Sequence, residues 1–143
     1  MHCPYCAHEE TRVLESRLAE DSLRRRRECL KCSNRFTTYE KAVFHCTVIK
    51  KDGREQPFQI DKIKSSIIKA FGKADEHDAL ALARKVEQKI LLKRRTQVKT
   101  TEIGQLVLRE LRKADKMAYV RFASIHKAIA DPRMLEKELQ LVA

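Results

Sequence analysis

Two pairs of cysteines, each with two residues between its members, constrain the fold of this chain more than any other feature. The pairs are Cys3–Cys6 and Cys29–Cys32, separated by 22 residues. Four thiolates presented by two tight turns form the tetrahedral sulfur cage that a structural zinc ion prefers. The spacing therefore predicts one Zn²⁺ per chain, held by Cys3, Cys6, Cys29 and Cys32.

The compartment bears on the choice between a metal and disulfides. The first cysteine stands at position 3, which leaves no room for a signal peptide, so we expect a reducing cytoplasm. Cysteine pairs in that compartment favour a metal over disulfides. The spacing does not separate zinc from a rubredoxin-like iron centre, which has the same ligands. An iron centre would indicate an electron carrier, but it would leave the long C-terminal region without a role.

Charge points to an anionic partner. The 143 residues have a formal net charge of +11, which favours nucleic acid, nucleotides or an anionic membrane surface. No run approaches the roughly 18 consecutive apolar residues of a membrane span, so we expect no membrane partner. Residues 1–45 contain nine basic and seven acidic residues, whereas residues 46–143 contain 22 and 13. The arginine run Arg24–Arg27 is thus a local patch beside the second cysteine pair.

Residues 1–45 are predicted to form a small all-β zinc ribbon. Residues 11–18, 23–29 and 35–40 are rich in β-formers and are typical of short strands, and residues 19–22 indicate a hairpin tip. Few apolar residues are present to make a core. We therefore expect this part not to fold without its metal.

The arginine run is predicted to contact DNA or RNA. Successive side chains of a strand alternate between its two faces, so a single flat ligand meets only one pair, Arg24 with Arg26 or Arg25 with Arg27. Basic residues on the flanking segments extend the patch, namely Arg17, Lys31 and Arg35. The alternative is a solvated face neutralised by Glu15, Glu28 and Glu40.

Residues 46–143 are predicted to be mostly α-helical after an initial β-hairpin, so the fold class is α+β. Asp52-Gly53 between two extended runs is a strong hairpin signal. Apolar residues at helical spacing predict four helices, the first capped by Asp61 and a last short one following from about Arg133. The fourth apolar stripe consists of Ala118, Phe122, Ile125 and Ile129.

A phosphate site is one use for the lysines at the start of this region. Lys50 and Lys51 precede the hairpin turn, and Lys62, early in the first helix, can reach the same point. Exposed lysines are common, so the pattern alone is weak support. Neither usual glycine-rich phosphate loop is present, and no Ser/His/Asp grouping indicates an enzyme.

Three segments carry a resemblance to a known family: MHCPYC, RRRRECLKCSNRFTTYE and KADKMAYVRFASIHKAIAD. In this order and spacing they closely resemble the NrdR family of bacterial transcriptional repressors, over nearly the whole chain. The resemblance implies a zinc ribbon in residues 1–45 that binds DNA, and an ATP-cone in residues 46–143 that binds nucleotide and mediates oligomerisation. It implies a repressor, not an enzyme, that binds operator boxes in double-stranded DNA upstream of ribonucleotide reductase genes.

The resemblance also implies the effectors and their contacts. ATP and dATP are expected as allosteric effectors, with Mg²⁺, and the protein is expected at the nucleoid when bound to DNA. Val48 is expected to line the adenine pocket, with Lys50, Lys51 and Lys62 near the phosphates. Polar contacts are expected from Gln56 and Gln59. Tyr119 and Arg121 are expected to close the site, with packing and a surface salt bridge as their alternative role.

The two effectors differ by one hydroxyl group. One hydrogen bond is worth roughly 0.5–1.5 kcal/mol, or about 2- to 13-fold discrimination. Because that is small when ATP is in excess, we expect a homo-oligomer that multiplies the difference. The alternative function is a zinc-ribbon nucleic-acid-binding protein that is indifferent to nucleotide.

For several other residues the sequence supports only a less specific expectation. Ala7 and Ser33 follow the two cysteine turns where glycine is common, and a left-handed turn without glycine costs about 1 kcal/mol. Cys46 is expected in the core. His2 and His8 are expected to be exposed bystanders, and His45, His77 and His126 have no visible partner.

Overall fold

The computed structural model describes residues 1–73 and 76–143. They form two compact units, residues 1–44 and residues 45–143. The first unit is an antiparallel sheet of three strands, β1 (Thr11–Ala19), β2 (Ser22–Cys29) and β3 (Arg35–Glu40), with β2 in the centre. The two cysteine turns lie before β1 and between β2 and β3, as the predicted zinc ribbon requires.

The second unit is mostly helical. Its strands are β4 (Thr47–Ile49), β5 (Glu55–Pro57) and β6 (Gln97–Lys99), and its helices are α1 (Ile60–Phe71), α2 (Glu76–Leu92), α3 (Thr100–Ala114), α4 (Lys116–His126) and α5 (Pro132–Val142). The predicted α+β fold class, an all-β ribbon followed by a mostly helical region with an initial hairpin, is confirmed. No helix in the described part of the chain is long and apolar enough to cross a membrane.

One strand was not predicted. β6 pairs in parallel with β4, which places β4 in the centre of a second three-stranded sheet. Only Val98 in β6 is buried, and three residues are too few for an alternating pattern to be recognised. This strand brings the start of α3 beside the end of β4, where the Thr100 hydroxyl donates to the Ile49 carbonyl oxygen over 3.1 Å.

The core of the second unit lies between the helices. Ile67 of α1, Val86 of α2 and Leu111 of α3 are fully buried, and each belongs to an apolar stripe that the sequence predicts. α1 packs against α2 and α4, and α3 packs against α2 and α4. The helices therefore surround one apolar core, with the small sheet at one end of α1 and α3.

Three details of the predicted helices are wrong. Gln59, not Asp61, holds the N-cap position of α1, and Asp61 lies in the first turn, where its charge still favours the helix dipole. Ile125 is 81% exposed, because the buried face of α4 is rotated toward Tyr119 and Ala123. Ile129 lies beyond the end of α4 at His126.

Candidate functional site

The four cysteine thiols converge on one point in the first unit. Their sulfur atoms all lie within 4.8 Å of one another, with 3.6 Å between Cys3 and Cys32 and between Cys6 and Cys29. A tetrahedral zinc site with bonds of about 2.3 Å places its sulfurs about 3.8 Å apart. The cluster therefore fits a zinc ion and is a potential zinc site.

The two cysteine turns repeat the same hydrogen-bonding pattern. The Ala7 N–H donates to the Cys3 carbonyl over 2.9 Å, and the Ser33 N–H donates to the Cys29 carbonyl over 3.0 Å. Ala7 and Ser33 both adopt left-handed backbone, with φ of 59° and 58°. The cost of this conformation without glycine, about 1 kcal/mol each, is small beside the free energy of zinc binding.

Main-chain groups favour the thiolate form of the second turn. The Asn34 N–H lowers the pKa of Cys32 to about 6. The Cys32 N–H, and after it the Lys31 N–H at 3.4 Å from the Cys29 sulfur, lower the pKa of Cys29. Because zinc binds thiolates, these donors favour metal binding near neutral pH. Cys46 is buried in the core of the second unit and is not part of this cluster.

The strand register sorts the basic residues of the ribbon onto two faces. Residues paired across neighbouring strands share a face. Three rows lie on one face, Arg12–Glu28–Arg35, Glu15–Arg26–Thr37 and Arg17–Arg24–Tyr39. We call it the arginine face, with basic residues Arg12, Arg17, Arg24, Arg26 and Arg35. Arg12 was missed from the sequence, because it lies opposite Glu28 only through a shift of the strand register between Val13 and Glu15.

Only part of the arginine face is neutralised internally. Glu28 is 8% exposed and accepts from both Arg35 and Arg12, which lower its pKa. Arg17 pairs with Glu15. Within the described part of the chain, Arg24 and Arg26 form no ion pair. These two arginines, in the centre of the sheet, are therefore available to an anionic partner.

The opposite face holds the other two arginines of the run. Arg27 donates to the hydroxyls of Thr38 and Thr11, each over 3.2 Å, and Arg25 lies 3.3 Å from the Glu40 carboxylate. Lys31 is exposed in the second cysteine turn. A flat ligand on the arginine face therefore does not meet Arg25 or Arg27.

The second unit contains a cavity of about 510 Å³ between the hairpin and helices α1, α3 and α4. Its size is typical of a small-molecule site. Apolar side chains form much of the lining, including Val48, Ile63, Val107 and Phe122. The basic side chains are Lys50, Lys62, Lys69 and Arg121, and none of the described lining residues is acidic. The cavity combines an apolar surface with positive charge, which suits a ligand with a flat ring and phosphates.

Comparison with known proteins identifies both units. Residues 1–40 match the family model for the N-terminal domain of NrdR-like transcriptional repressors, and residues 46–132 match the ATP cone domain. The chain is 44% identical to the transcriptional repressor NrdR of Variovorax paradoxus over 137 residues, which cover 92% of each chain. It is 41% identical to that of Carboxydothermus hydrogenoformans, covering 98% of this chain and 94% of the relative. The chain belongs to the NrdR family of transcriptional repressors.

Membership confirms the resemblance seen in the sequence. NrdR proteins are named as transcriptional repressors, which makes this chain a regulator rather than an enzyme. The ribbon of the family is a zinc ribbon, in agreement with the four-sulfur cluster. The ATP-cone match contains the cavity and ends at residue 132, so nearly all of α5 lies beyond it.

Six of the eight nucleotide contacts predicted for this NrdR chain line the cavity: Val48, Lys50, Gln56, Gln59, Lys62 and Arg121. The Lys62 ammonium donates to the Gln56 side-chain oxygen over 3.0 Å, which links the first turn of α1 to β5. Arg121 also donates to the carbonyl oxygens of Ala70 and Phe71, which links α4 to the end of α1.

The other two predicted contacts lie outside the cavity lining. Lys51 is exposed at the hairpin turn. Tyr119 is buried, and its hydroxyl donates to Glu138 over 2.8 Å, while Lys127 donates to the other oxygen of that carboxylate over 2.6 Å. Tyr119 thus joins α4 to α5, in line with the packing role considered for it.

Sequence reasoning missed a close contact in the wall of the NrdR cavity. The His126 ring lies against Gly104, where an added Cβ would come within 1.9 Å of a ring carbon. The ring stacks on Phe122 with 5.7 Å between centroids. Burial, then Lys51 and Lys127, lower the pKa of His126, which favours the neutral ring. A glycine inside a helix costs about 1 kcal/mol relative to alanine. The presence of Gly104 within a predicted helix was therefore the sequence signal that another group approaches the backbone closely at this position.

We expect Gly104→Ala to destabilise the protein. An alanine in a helix interior normally gains about 1 kcal/mol over glycine, but here the methyl group would overlap the His126 ring. The overlap should lower the free energy of unfolding by about 1–3 kcal/mol, measured by urea denaturation. The double variant with His126→Ala should recover much of that loss. A single variant more stable than the parent would contradict this packing.

Proposed function

We propose that this NrdR protein is a nucleotide-responsive repressor. ATP and dATP bind in the cavity of the ATP-cone, and the nucleotide bound sets the affinity of the zinc ribbon for operator boxes upstream of ribonucleotide reductase genes. The cavity carries the proposal: within the ATP-cone match it joins an apolar surface to four basic side chains.

The lining supports one orientation of the nucleotide. The adenine ring packs on the apolar surface near Val48, which is 7% exposed. The phosphates, with Mg²⁺, lie toward Lys50 and Lys62, and Gln56 and Gln59 supply polar contacts. Lys51 lies beside this end, close enough for its charge to lower the pKa of His126.

The arginine face is the proposed DNA-binding surface. One zinc ion per chain holds the two cysteine turns together, and β2 continues directly from the Cys29 ligand. Arg24 and Arg26 lie in the centre of the sheet without internal ion pairs among the described residues. Of the seven DNA contacts predicted from the sequence, Arg17, Arg24, Arg26 and Arg35 share this face.

Self-association is proposed to amplify the difference between ATP and dATP. α5 buries Val142 and leaves Met134 49% exposed and Leu141 48% exposed on the same side of the helix. The apolar arc of α5 is therefore wider than the part that packs on its own chain, which supports a homo-oligomer. Several linked subunits can turn a small preference for one nucleotide into a sharp change in DNA affinity.

The test is DNA binding under four nucleotide conditions at fixed salt. Fluorescence anisotropy with a ribonucleotide reductase promoter fragment would compare ATP, dATP, both and neither. Tight binding that requires dATP would establish sensing and repression together. Equal affinity in all four conditions would favour the alternative, a zinc-ribbon DNA-binding protein indifferent to nucleotide.

Arg26→Ala should weaken operator binding about tenfold and reduce the slope of log affinity against log salt by about 0.9, the value for one phosphate contact. Arg27→Ala removes the same charge from the opposite face and is the matched control. Both variants should retain one zinc per chain. Equal losses for the two variants would show that the arginine face is not the DNA-binding surface.

A further inference from the structure

Most of the surplus positive charge of the second unit lies away from the cavity. Residues 84–116 contain eleven basic and four acidic residues, a net charge of +7. The rest of residues 46–143 contain eleven basic and nine acidic residues, a net charge of +2. The cavity cations Lys50, Lys62, Lys69 and Arg121 all belong to this nearly balanced remainder. Nucleotide binding in the cavity therefore does not explain the surplus.

The surplus charge follows the seam between α2 and α3. Lys85 and Lys89 lie one turn apart on α2, and Lys93 follows four residues later, directly after the end of the helix. Lys89 pairs with Glu110 of α3. Glu102 of α3 pairs with Lys93 and lies 3.7 Å from Arg95. We call this the α2–α3 basic face, with basic residues Lys85, Lys89, Lys93, Arg95 and Lys113.

The acidic side chains at this face are already paired with basic side chains of the same chain. Glu110 is 6% exposed, and its pKa is lowered by Lys89 first and then by Lys113 and Lys85. Its charge is thus enclosed beneath the lysines. Among the described residues, neither Lys85 nor Lys113 forms an ion pair, and both are exposed. The outer surface of the face is therefore positive.

The shape of the face favours a long anion over a compact one. Lys85 lies about 10 Å before Leu92, the last residue of α2, and Lys93 follows directly after it. One strand of B-DNA presents a phosphate every 3.4 Å of helix axis, so about three phosphates span that distance. A row of lysines at this spacing has no counterpart in the cavity, where the cations surround one volume.

We propose, on the basis of the DNA binding proposed above for the ribbon, that the α2–α3 basic face binds the phosphate backbone of double-stranded DNA. The ATP-cone then contributes affinity that is independent of base sequence, and the ribbon contributes the operator contacts. Such contacts are dominated by counterion release and are therefore strongly salt-dependent. The chain has a DNA partner through its repressor family, which favours DNA over RNA as the occupant.

The test compares two double variants of the full zinc-loaded chain. Lys85→Ala with Lys113→Ala removes two charges from the face without breaking an ion pair of the described residues. Arg133→Ala with Lys137→Ala removes two exposed charges from α5 and is the control. Affinity for operator DNA and for unrelated DNA would be measured by anisotropy from 50 to about 300 mM salt, with the nucleotide that gives the parent its tightest binding.

The face variant should lose about tenfold affinity for both DNAs, and its salt slope should fall by about 1.8, or 0.9 for each phosphate contact. The control should keep the slope of the parent. Equal slopes for the two variants would overturn the inference, as would a loss of DNA affinity that coincides with loss of self-association in sedimentation. Weakened binding to duplex RNA with unchanged DNA binding would assign the face to RNA and also overturn it.

These outcomes are separable from failure of the proposed function. If the parent binds operator DNA equally in all nucleotide conditions, nucleotide sensing fails, but the salt slopes still test the face. If the parent responds to nucleotide and both variants match it, only the inference fails. Nucleotide affinity should be unchanged in both variants, because none of the four substituted residues lines the cavity.

Discussion

Cys29→Ser is expected to release the metal, unfold the ribbon and abolish operator binding, while the second unit stays folded. In the described part of residues 1–44, the only buried apolar side chains are two of the cysteines, Cys3 and Cys29. The metal site therefore takes the place of a hydrophobic core. Structural zinc sites contribute about 10–16 kcal/mol at neutral pH, far more than any other contact in the ribbon can supply.

Metal content, DNA affinity and helical signal together test this expectation. Zinc per chain should fall from one to nearly zero in Cys29→Ser, with operator binding lost and far-ultraviolet helical signal retained. Cys46→Ser is the control, since that thiol is buried in the other unit and outside the sulfur cluster. It should keep its zinc. One zinc per chain and normal DNA affinity in Cys29→Ser would refute the four-cysteine site, and iron in the parent would favour the redox alternative.

Local patterns in the sequence predicted much of this fold. The cysteine spacing located the sulfur cluster, and strand alternation separated Arg24 and Arg26 from Arg25 and Arg27, as the register shows. Each of these features depends on residues near one another in the chain or on a period of two. The apolar stripes of α1, α2 and α3 have the same local character.

What the sequence could not predict depends on contacts between distant segments. β6 is a strand only because β4 lies beside it, 50 residues earlier in the chain. The contact of His126 with Gly104 requires α3 and α4 to be packed together. No local sequence pattern around either residue indicates that the other lies beside it. Ile125 was assigned to the core by its spacing, but tertiary packing turned α4 toward Tyr119 and Ala123. The apolar spacing predicted that α4 is a helix, but the face that it buries depends on how it packs against the other helices.

Lys62→Ala is expected to reduce nucleotide affinity about 10- to 150-fold, because a hydrogen bond to a charged group is worth about 1.5–3 kcal/mol. Lys62 lies in the first turn of α1, and its ammonium is held in the cavity by the Gln56 oxygen at 3.0 Å. Lys64→Ala is the control on the same helix: its side chain faces Glu76 at 3.9 Å and does not line the cavity. Isothermal titration with ATP and dATP measures both variants.

The same variant tests whether the two units are coupled. If the nucleotide sets DNA affinity, then DNA must change nucleotide affinity by the same factor, since linkage between two binding sites is reciprocal. At nucleotide concentrations that saturate the parent but not the variant, Lys62→Ala should bind operator DNA as the nucleotide-free parent does. Its zinc content should be unchanged. Normal nucleotide affinity in Lys62→Ala would remove the cavity as the effector site. Lost nucleotide affinity with DNA binding still responsive to dATP would place the sensing nucleotide elsewhere in the protein.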